Sequence, residues 1–221
     1  MTEPLISIKN LTFGYPGCEP VLRSTDFYLM PGERLALTGG NGCGKSTLLD
    51  MIVGLQKAQT GDIKILGIEV NQDSDFNEIR RRVGLVFQHS DDQLFCPTVL
   101  EDIVFGPLNL GKTPEEAGVI AKTVLENVGL VGFEDRITYN LSGGEKRLVA
   151  IATVLAMEPE ILLLDEPTTG LDSVAKDRLL KVLSSLSLPM VIVSHEHDFA
   201  RELATNCIEM RDGYIDCMKG R

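Results

Sequence analysis

The chain has 221 residues, of which 43% are hydrophobic, so it is long enough to bury the core of one large domain. No run approaches the roughly 20 apolar residues of a membrane-spanning helix, and the amino terminus lacks the basic-then-apolar order of a signal peptide. The formal net charge of −11 disfavours broad binding to nucleic acid or anionic lipid. Five cysteines without C-x-x-C spacing indicate reduced thiols. We therefore expect a soluble, cytoplasmic protein.

The predicted elements change character along the chain. Apolar and alternating segments in the first part predict strands at 5–11, 21–30, 34–39, 62–66 and 83–87, with a helix that opens at Lys45. The middle part predicts helices at 99–105, 114–128 and 144–157. Strands and helices then alternate, with strands at 161–164 and 190–194, helices at 173–186 and 199–204, and a hairpin at 207–216 that turns at Asp212-Gly213. This order predicts an α/β fold whose parallel-sheet core is interrupted by a helical insert.

A glycine-rich segment between the strand at 34–39 and the helix at Lys45 fills every fixed position of the pattern G-x-x-x-x-G-K-[ST]. Such a turn can wrap its backbone N–H groups around a phosphate, and the helix amino terminus and the lysine add positive charge. A chance glycine-rich turn is the alternative, but the flanking strand and helix disfavour it. The predicted nucleotide-binding residues are Gly39, Gly40, Asn41, Gly42, Cys43, Gly44, Lys45, Ser46 and Thr47.

Two acidic residues follow a wholly apolar strand, which ends in Asp165-Glu166. This places both at the carboxyl edge of a central strand, where open α/β sheets bind ligands. We expect Asp165 and the hydroxyl of Ser46 to hold Mg²⁺ and Glu166 to polarise the attacking water. The acidic pair is weak evidence alone, because apolar strands often end in acids, but strong beside the phosphate loop.

The segment Leu141-Ser142-Gly143-Gly144 is a second anion site at a predicted helix amino terminus. With the two motifs above, it resembles the signature of the ATP-binding cassette family, and the resemblance covers essentially the whole chain. The family implies a P-loop nucleotide hydrolase core (1–89 and 159–221), an antiparallel β subdomain and an inserted helical signature subdomain (90–158). It also implies a head-to-tail dimer, in which each ATP lies between the phosphate loop of one chain and Ser142, Gly143 and Gly144 of the other.

Other family positions map onto this sequence one by one. Tyr15 matches the aromatic that stacks on adenine, although an ordinary turn tyrosine is the alternative. Gln88 matches the glutamine that touches Mg²⁺ and reports to the transport partner. His195 matches the histidine that contacts the γ-phosphate, although a lone histidine is usually structural. Asp172 matches a loop that crosses the dimer interface, and it equally fits the N-cap of the helix that starts at 173.

The stretch 83–110 closely resembles the ATPases of energy-coupling-factor importers and of related cobalt and nickel uptake systems. The resemblance implies that the loop and helices after Gln88 dock a membrane coupling subunit, with apolar contacts from Leu94, Phe95 and Val99. Closing the core of the helical insert is an equal alternative for these three residues. The sequence departs from the family after the signature, where arginine stands at Arg147 and Leu148 replaces a frequent arginine.

The resemblance thus predicts the ATP- and Mg²⁺-dependent ATPase subunit of a prokaryotic importer. Glu166 and His195 are its expected catalytic residues, and cobalt, nickel or a vitamin is its cargo. The expected partners are a second cassette ATPase, an integral membrane coupling subunit and a substrate-binding membrane subunit, with no nucleic acid. The expected location is peripheral, at the cytoplasmic face of the cell membrane. The alternatives are an exporter cassette, which the 88–107 resemblance disfavours, and a small-molecule kinase, which would not need the signature. A mechanical clamp ATPase is a third alternative, disfavoured because this sequence has neither long coiled-coil insertions nor a second fused cassette and because it is acidic.

Overall fold

The structure is a computed structural model that describes residues 3–216. In chain order the strands are β1 (Ile6–Phe13), β2 (Leu22–Leu29), β3 (Arg34–Gly39), β4 (Thr60–Ile65), β5 (Ile68–Glu69), β6 (Val83–Val86), β7 (Ile161–Asp165), β8 (Met190–Val193), β9 (Asn206–Arg211) and β10 (Tyr214–Asp216). The α-helices are α1 (Lys45–Ile52), α2 (Phe76–Arg82), α3 (Val99–Asn109), α4 (Pro114–Asn127), α5 (Gly143–Leu155), α6 (Ser173–Ser185) and α7 (His197–Leu203). The predicted α/β fold is confirmed.

A smaller sheet contains the antiparallel strands in the order β2-β1-β4-β5. From Thr25 to Leu29, the side chains of β2 alternate between buried and exposed, as expected for a sheet that packs on one face only. This sheet is the antiparallel part of the predicted fold. Strand β5 was not predicted, because its two residues are too short to show a period of two.

The larger sheet has the strand order β10-β9-β3-β8-β7-β6. Its strands run parallel except for β10, which forms the predicted hairpin with β9. Asp212 and Gly213 make the turn, and their φ angles of 48° and 81° suit a two-residue hairpin connection. Every residue of β7 and β8 is buried, as their apolar runs predict.

The larger sheet separates two hydrophobic cores. Within β7, Leu163 packs into the core shared with α1 and the smaller sheet, whereas Leu162 and Leu164 pack into the core shared with α3, α4 and α5. The helices of the middle segment therefore pack against the sheet through β6 and β7. The sheet is covered on both faces, so its carboxyl edge is left as the place for a ligand.

Helix α3 differs from the prediction at its end. It begins at Val99, after the N-cap Thr98, which forms a capping box with Glu101, and it continues through Pro107 to Asn109 instead of ending near Phe105. Contacts with α4 and α5 keep this segment helical despite the proline. Val99 is fully buried in the second core, so it cannot serve as a docking contact, whereas Phe95 is 66% exposed.

Candidate functional site

The phosphate loop connects β3 to α1 and depends on glycine at two points. Gly39 and Gly44 have φ angles of 146° and 112°, which side-chain-bearing residues rarely adopt. A Cβ atom at Gly39 would lie 2.2 Å from the carbonyl oxygen of Met210, and one at Gly44 would lie 2.9 Å from Cδ2 of Leu22. Strand β9 and the start of β2 therefore press against the loop and fix its shape.

Lys45 is buried, and its ammonium group is hydrogen-bonded within the loop. Its Nζ donates to the carbonyl oxygens of Gly39 and Gly40, both at 2.9 Å. The side chain therefore lies along the loop, at the amino-terminal end of α1, where the helix dipole also favours an anion. A phosphate bound by this loop would meet a full positive charge and several backbone N–H groups.

Asp165 ends strand β7 and is 8% exposed. Burial raises the pKa of this carboxyl group, while a hydrogen bond from Ser46 and the charges of Lys45 and Arg147 act in the opposite direction. Within residues 3–216, its Oδ1 is buried without a hydrogen-bond partner. An acidic oxygen thus stands beside the Ser46 hydroxyl with capacity for another ligand.

Glu166 and His195 are brought together by the pairing of β7 with β8. The register sets Asp165 opposite Val193, so the residues that follow both strands meet at the sheet edge. The Nδ1 atom of His195 lies 2.7 Å from Oε2 of Glu166, and the backbone N–H of His195 donates to the same oxygen at 3.2 Å. Glu166 has a φ angle of 45°, a strained conformation for a residue with a side chain.

Tyr15 lies at the other end of the phosphate loop. Its ring packs edge-on against Phe13 with centroids 5.0 Å apart, and its hydroxyl lies 3.3 Å from Oγ1 of Thr47. The tyrosine is 39% exposed and lines the cavity described below. The packing against Phe13 fixes a flat apolar surface next to the phosphate loop.

A cavity of about 540 Å³ joins these groups. It is lined by Tyr15, Val21, Asn41, Gly42, Gly44, Lys45, Ser46, Thr47, Gln88, Glu166, Thr169 and His195. The predicted residues Gly39, Gly40 and Asp165 contact this lining through Lys45 and Ser46, and Cys43 lies in the same loop, with Sγ 3.9 Å from the Lys45 Nζ. Val21 was not predicted, because an apolar residue before a strand carries no sequence signal for a binding site.

Residues 142–144 and Asp172 are not among those that line the cavity. Ser142 caps α5 in a capping box with Glu145, whose Oε2 accepts from the Ser142 hydroxyl at 2.7 Å. Asp172 caps α6, because its Oδ1 accepts from the N–H of Ala175 at 2.8 Å, as the N-cap alternative predicts. Both capping residues are exposed, and a Cβ atom at Gly144 would lie 2.9 Å from Cβ of Ala175, so the amino termini of α5 and α6 lie beside each other.

Two further charged residues near the site were not predicted. Asp50, on α1, has its pKa raised to about 6 by burial and by the charge of Asp165. Arg147, on α5, is buried and donates to the carbonyl oxygens of Phe87 and Gln88. Only the departure at 147–148 from the family pattern marks Arg147 in the sequence, and nothing marks Asp50.

The oxygen-bearing side chains at this edge fit a magnesium ion. Mg²⁺ prefers a few protein oxygens together with water and substrate phosphates. Ser46, Gln88 and Asp165 offer such oxygens, and Asp165 has the unpartnered buried atom described above. Within residues 3–216, no three His, Cys, Asp or Glu side chains cluster as a metal site. A cation here would therefore depend on the nucleotide for part of its coordination.

Comparisons with known proteins agree with this geometry. A family model described as "ABC transporter" matches residues 22–169. The energy-coupling factor transporter ATP-binding protein EcfA of Methanothermobacter thermautotrophicus is 43% identical over 215 residues, which cover 96% of this chain and 69% of that protein.

Two solved structures are also similar. CbiO1 from Clostridium perfringens is part of the ABC transporter complex CbiONQ, and it superposes with a TM-score of 0.87 at 32% identity. That match covers 97% of this chain and 87% of the CbiO1 chain. The ATP-binding cassette MJ0796, in a dimeric post-hydrolysis state with ADP and Pi, superposes with a TM-score of 0.87 at 30% identity. That match covers 98% of this chain and 100% of the MJ0796 chain. This chain therefore belongs to the ABC transporter family and is an ATPase whose hydrolysis of ATP is coupled to transport.

Proposed function

We propose that this chain is the ATP-hydrolysing subunit of an importer of the energy-coupling-factor type, with cobalt, nickel or a vitamin as cargo. The observation that carries the proposal is the 43% identity to EcfA over 96% of the chain. The similarity to CbiO1 supports it, because that protein is part of a transporter complex. Within residues 3–216, no helix has the length and hydropathy needed to cross a membrane. As the ATPase of such an importer, the chain would lie peripherally at the cytoplasmic face, with membrane subunits supplying the path.

The cavity supports the binding of ATP in one orientation. The phosphates would lie in the loop 39–46 against Lys45, and the adenine would lie on the partly exposed ring of Tyr15, beside Val21. The contact of Tyr15 with Thr47 keeps the ring next to the loop. This orientation directs the γ-phosphate toward Glu166 and His195, which line the same cavity.

Magnesium would be held by Ser46, Gln88 and Asp165. When bound, the ion neutralises charge that develops on the β- and γ-phosphates. The burial of Asp165 favours a role with a cation, because an unpaired carboxylate at 8% exposure is costly. The hydroxyl of Ser46 already contacts this carboxylate, so little rearrangement of the chain is needed.

Glu166 is the proposed base for hydrolysis. A water molecule beside the γ-phosphate would transfer a proton to the Glu166 carboxylate as its oxygen attacks the γ-phosphorus, and the bond from that phosphorus to the β–γ bridging oxygen would break, which releases phosphate and leaves ADP. His195 holds this carboxylate through the 2.7 Å contact of its Nδ1, and its other ring nitrogen would be available to the γ-phosphate. Glu166 lines the cavity, and the two contacts of its Oε2 with His195 keep the carboxylate there.

A second cassette would complete the site. Ser142, Gly143 and Asp172 are exposed at the ends of α5 and α6, and they do not line the cavity of their own chain. Val174, on the first turn of α6, is 75% exposed and so is available to pack against a second chain. Head-to-tail pairing would bring these helix amino termini to the nucleotide of the other chain, as the dimeric state of MJ0796 suggests.

An apolar groove between the sheet and the insert is the proposed site for the membrane coupling subunit. Phe95 and Phe105 form an edge-on pair with centroids 4.9 Å apart at its rim, and Leu55 is also exposed there. The groove has a volume of about 280 Å³ and a mainly apolar lining. Exposed aromatic side chains of this kind are typical anchors of protein interfaces.

Co-purification from membranes tests the importer proposal. The tagged chain, expressed in its native cell, should carry along a coupling subunit and a substrate-binding subunit. Phe95→Ser with Phe105→Ser should abolish that association and leave MgATP hydrolysis by the isolated chain within about twofold, because the groove lies apart from the cavity. The control is Val131→Ser, another exposed apolar residue that does not line the groove. Association that survives the double substitution would refute the groove as the docking site.

Uptake by whole cells identifies the cargo. Cells with the unaltered chain and cells with Glu166→Gln should be compared for uptake of labelled cobalt, nickel and biotin. The proposal predicts that one of the three is taken up by the first strain and lost in the second. Equal uptake of all three by both strains, together with export of a labelled compound by the first strain alone, would favour an exporter.

A further inference from the structure

Arg147 is a buried cation that joins the signature helix to the loop after β6. It is 2% exposed, and its Nη1 donates to the carbonyl oxygen of Phe87 at 2.5 Å, while Nη2 donates to that of Gln88. A buried guanidinium needs several acceptors to offset the loss of water. Two carbonyl oxygens accept from the guanidinium and the charge of Asp165 acts favourably on it, whereas within residues 3–216 its Nε is buried without a hydrogen-bond partner.

The other side of the same loop is tied to the same helix. Gln93 accepts from the N–H of Phe87 at 3.2 Å and donates through Nε2 to the carbonyl oxygen of Ala150 at 2.8 Å. Both backbone groups of Phe87 are therefore bonded to side chains that reach or belong to α5. The backbone from Phe87 to Gln88 consequently has little freedom to move independently of that helix.

The hydrogen bonds of Arg147 and Gln93 link three functional regions. Gln88 lines the nucleotide cavity, Phe87 and Gln93 line the apolar groove, and α5 begins at the signature serine, Ser142. Arg147 lies in the second turn of α5, so its contacts fix the distance from that amino terminus to Gln88. The family often has an arginine at the position of Leu148, which is buried in this chain. The guanidinium that contacts the loop here belongs instead to Arg147, one residue earlier on the helix.

We infer that Arg147 is a positioning residue that sets the place of Gln88 in the nucleotide cavity. It acts through the backbone carbonyl of Gln88 and does not itself line the cavity. The inference rests on the proposed role of Gln88 at the magnesium ion. Removing the guanidinium releases the carbonyl, lets the loop shift relative to α5 and moves the Gln88 side chain away from its working position.

The test is a double-mutant cycle of Arg147→Met with Gln88→Ala. Its readouts are the dissociation constant of ATP with and without Mg²⁺ and the rate of MgATP hydrolysis. Arg147→Met should weaken the gain in ATP affinity that Mg²⁺ provides by about tenfold and lower kcat by between about tenfold and a hundredfold, whereas ATP affinity in EDTA stays within about twofold. In the Gln88→Ala background, Arg147→Met should add less than about twofold to either effect.

Two further variants separate positioning from folding. Arg147→Lys keeps the charge but contacts one acceptor less well, so it should recover part of the Mg²⁺ effect even if Arg147→Met is poorly folded. Arg34→Met is the matched control, because Arg34 also donates to a backbone carbonyl, that of Leu186, and does not line the cavity. It should leave Mg²⁺ dependence unchanged.

The double-mutant cycle decides whether Arg147 acts through Gln88. Effects of Arg147→Met and Gln88→Ala that add fully in the double variant overturn the inference, as does a normal Mg²⁺ dependence in Arg147→Met when Gln88→Ala is impaired. If Gln88→Ala itself has normal Mg²⁺ dependence, the proposed role of Gln88 fails, and the inference fails with it for that identifiable reason.

Discussion

The Nδ1 atom of His195 lies 2.7 Å from Oε2 of Glu166, and this contact joins the ends of two neighbouring parallel strands. Glu166 is buried, whereas the side chain of His195 is largely exposed to the cavity. The histidine therefore holds the carboxylate from the solvent side. In the proposed mechanism, His195 orients the carboxylate of Glu166, and Glu166 accepts the proton from water.

Replacement of Glu166 by glutamine should stop hydrolysis and preserve ATP binding. Glutamine has the same shape and can still accept from the His195 backbone N–H, but it cannot take a proton from water. We expect kcat to fall by at least about 100-fold, with the ATP dissociation constant changed by less than about threefold. Phosphate release and equilibrium nucleotide binding measure the two quantities. A kcat within a few-fold of the unaltered chain would show that Glu166 is not the base.

Replacement of His195 by alanine should lower kcat by between about tenfold and a hundredfold, because Glu166 loses its orienting contact. The melting temperature should not change, since the His195 side chain is largely exposed. The same substitution in the Glu166→Gln background should have little further effect on the residual rate. Independent effects of the two substitutions would argue against a shared step.

Substitutions at the two signature glycines should differ in kind. A Cβ atom at Gly143 would meet only the carbonyl oxygen of Gly170, at 4.0 Å, whereas one at Gly144 would lie 2.9 Å from Cβ of Ala175 on α6. Gly143→Asp should therefore keep the melting temperature and abolish ATP-dependent pairing by adding negative charge near the phosphates. Gly144→Ala should lower stability by about 1–3 kcal/mol through overpacking.

Thermal unfolding and light scattering distinguish these two effects. A Gly143→Asp chain that melts normally and still pairs with MgATP would contradict the proposed place of the signature. A Gly144→Ala chain as stable as the unaltered one would show that α5 and α6 pack less tightly than the 2.9 Å distance indicates.

Asp50 should make the nucleotide-free chain less stable as the pH rises. Burial and the charge of Asp165 raise its pKa from 3.8 to about 6, so the folded state binds the proton more tightly than the unfolded state. This contribution to stability is fully present below the unfolded pKa and is lost as the pH rises through about 6. Asp50→Asn should therefore be more stable than the unaltered chain by about 1 kcal/mol at neutral pH, after allowance for partial exposure.

Thermal melts across the acid range check this sign. A gain of about 1 kcal/mol corresponds to a rise of roughly 2–4 °C in the melting temperature for a domain of this size. The gain should vanish near pH 4, where Asp50 is protonated in the folded state. Asp177→Asn, at an exposed position of α6, is the control. A gain that grows toward low pH would reverse the proposed sign.

Sequence reasoning reached the parts of the fold that local patterns encode. The apolar runs of β7 and β8, the glycines of the phosphate loop and the Asp212-Gly213 turn are each dictated by neighbours in the chain. Those patterns fix element type and the edge of the sheet at which polar residues gather. For that reason most of the predicted nucleotide-binding residues line one cavity.

Other features depend on contacts between distant segments and have no local pattern. The Glu166–His195 contact follows from the register of β7 on β8, and the burial of Arg147 depends on the loop at Phe87. Asp50 is an ordinary polar residue within α1 until β7 brings Asp165 near it. The continuation of α3 through Pro107 likewise reflects packing against α4 and α5.

The central claim is that two cassettes enclose the nucleotide and that hydrolysis releases them. The most direct measurement is the solution mass of the Glu166→Gln chain by light scattering, with MgATP and, for comparison, with MgADP. A mass twice that of the single chain with MgATP, which returns to the single-chain value with MgADP, is the predicted result. A single-chain mass under saturating MgATP, both alone and with its membrane partner added, would contradict the claim.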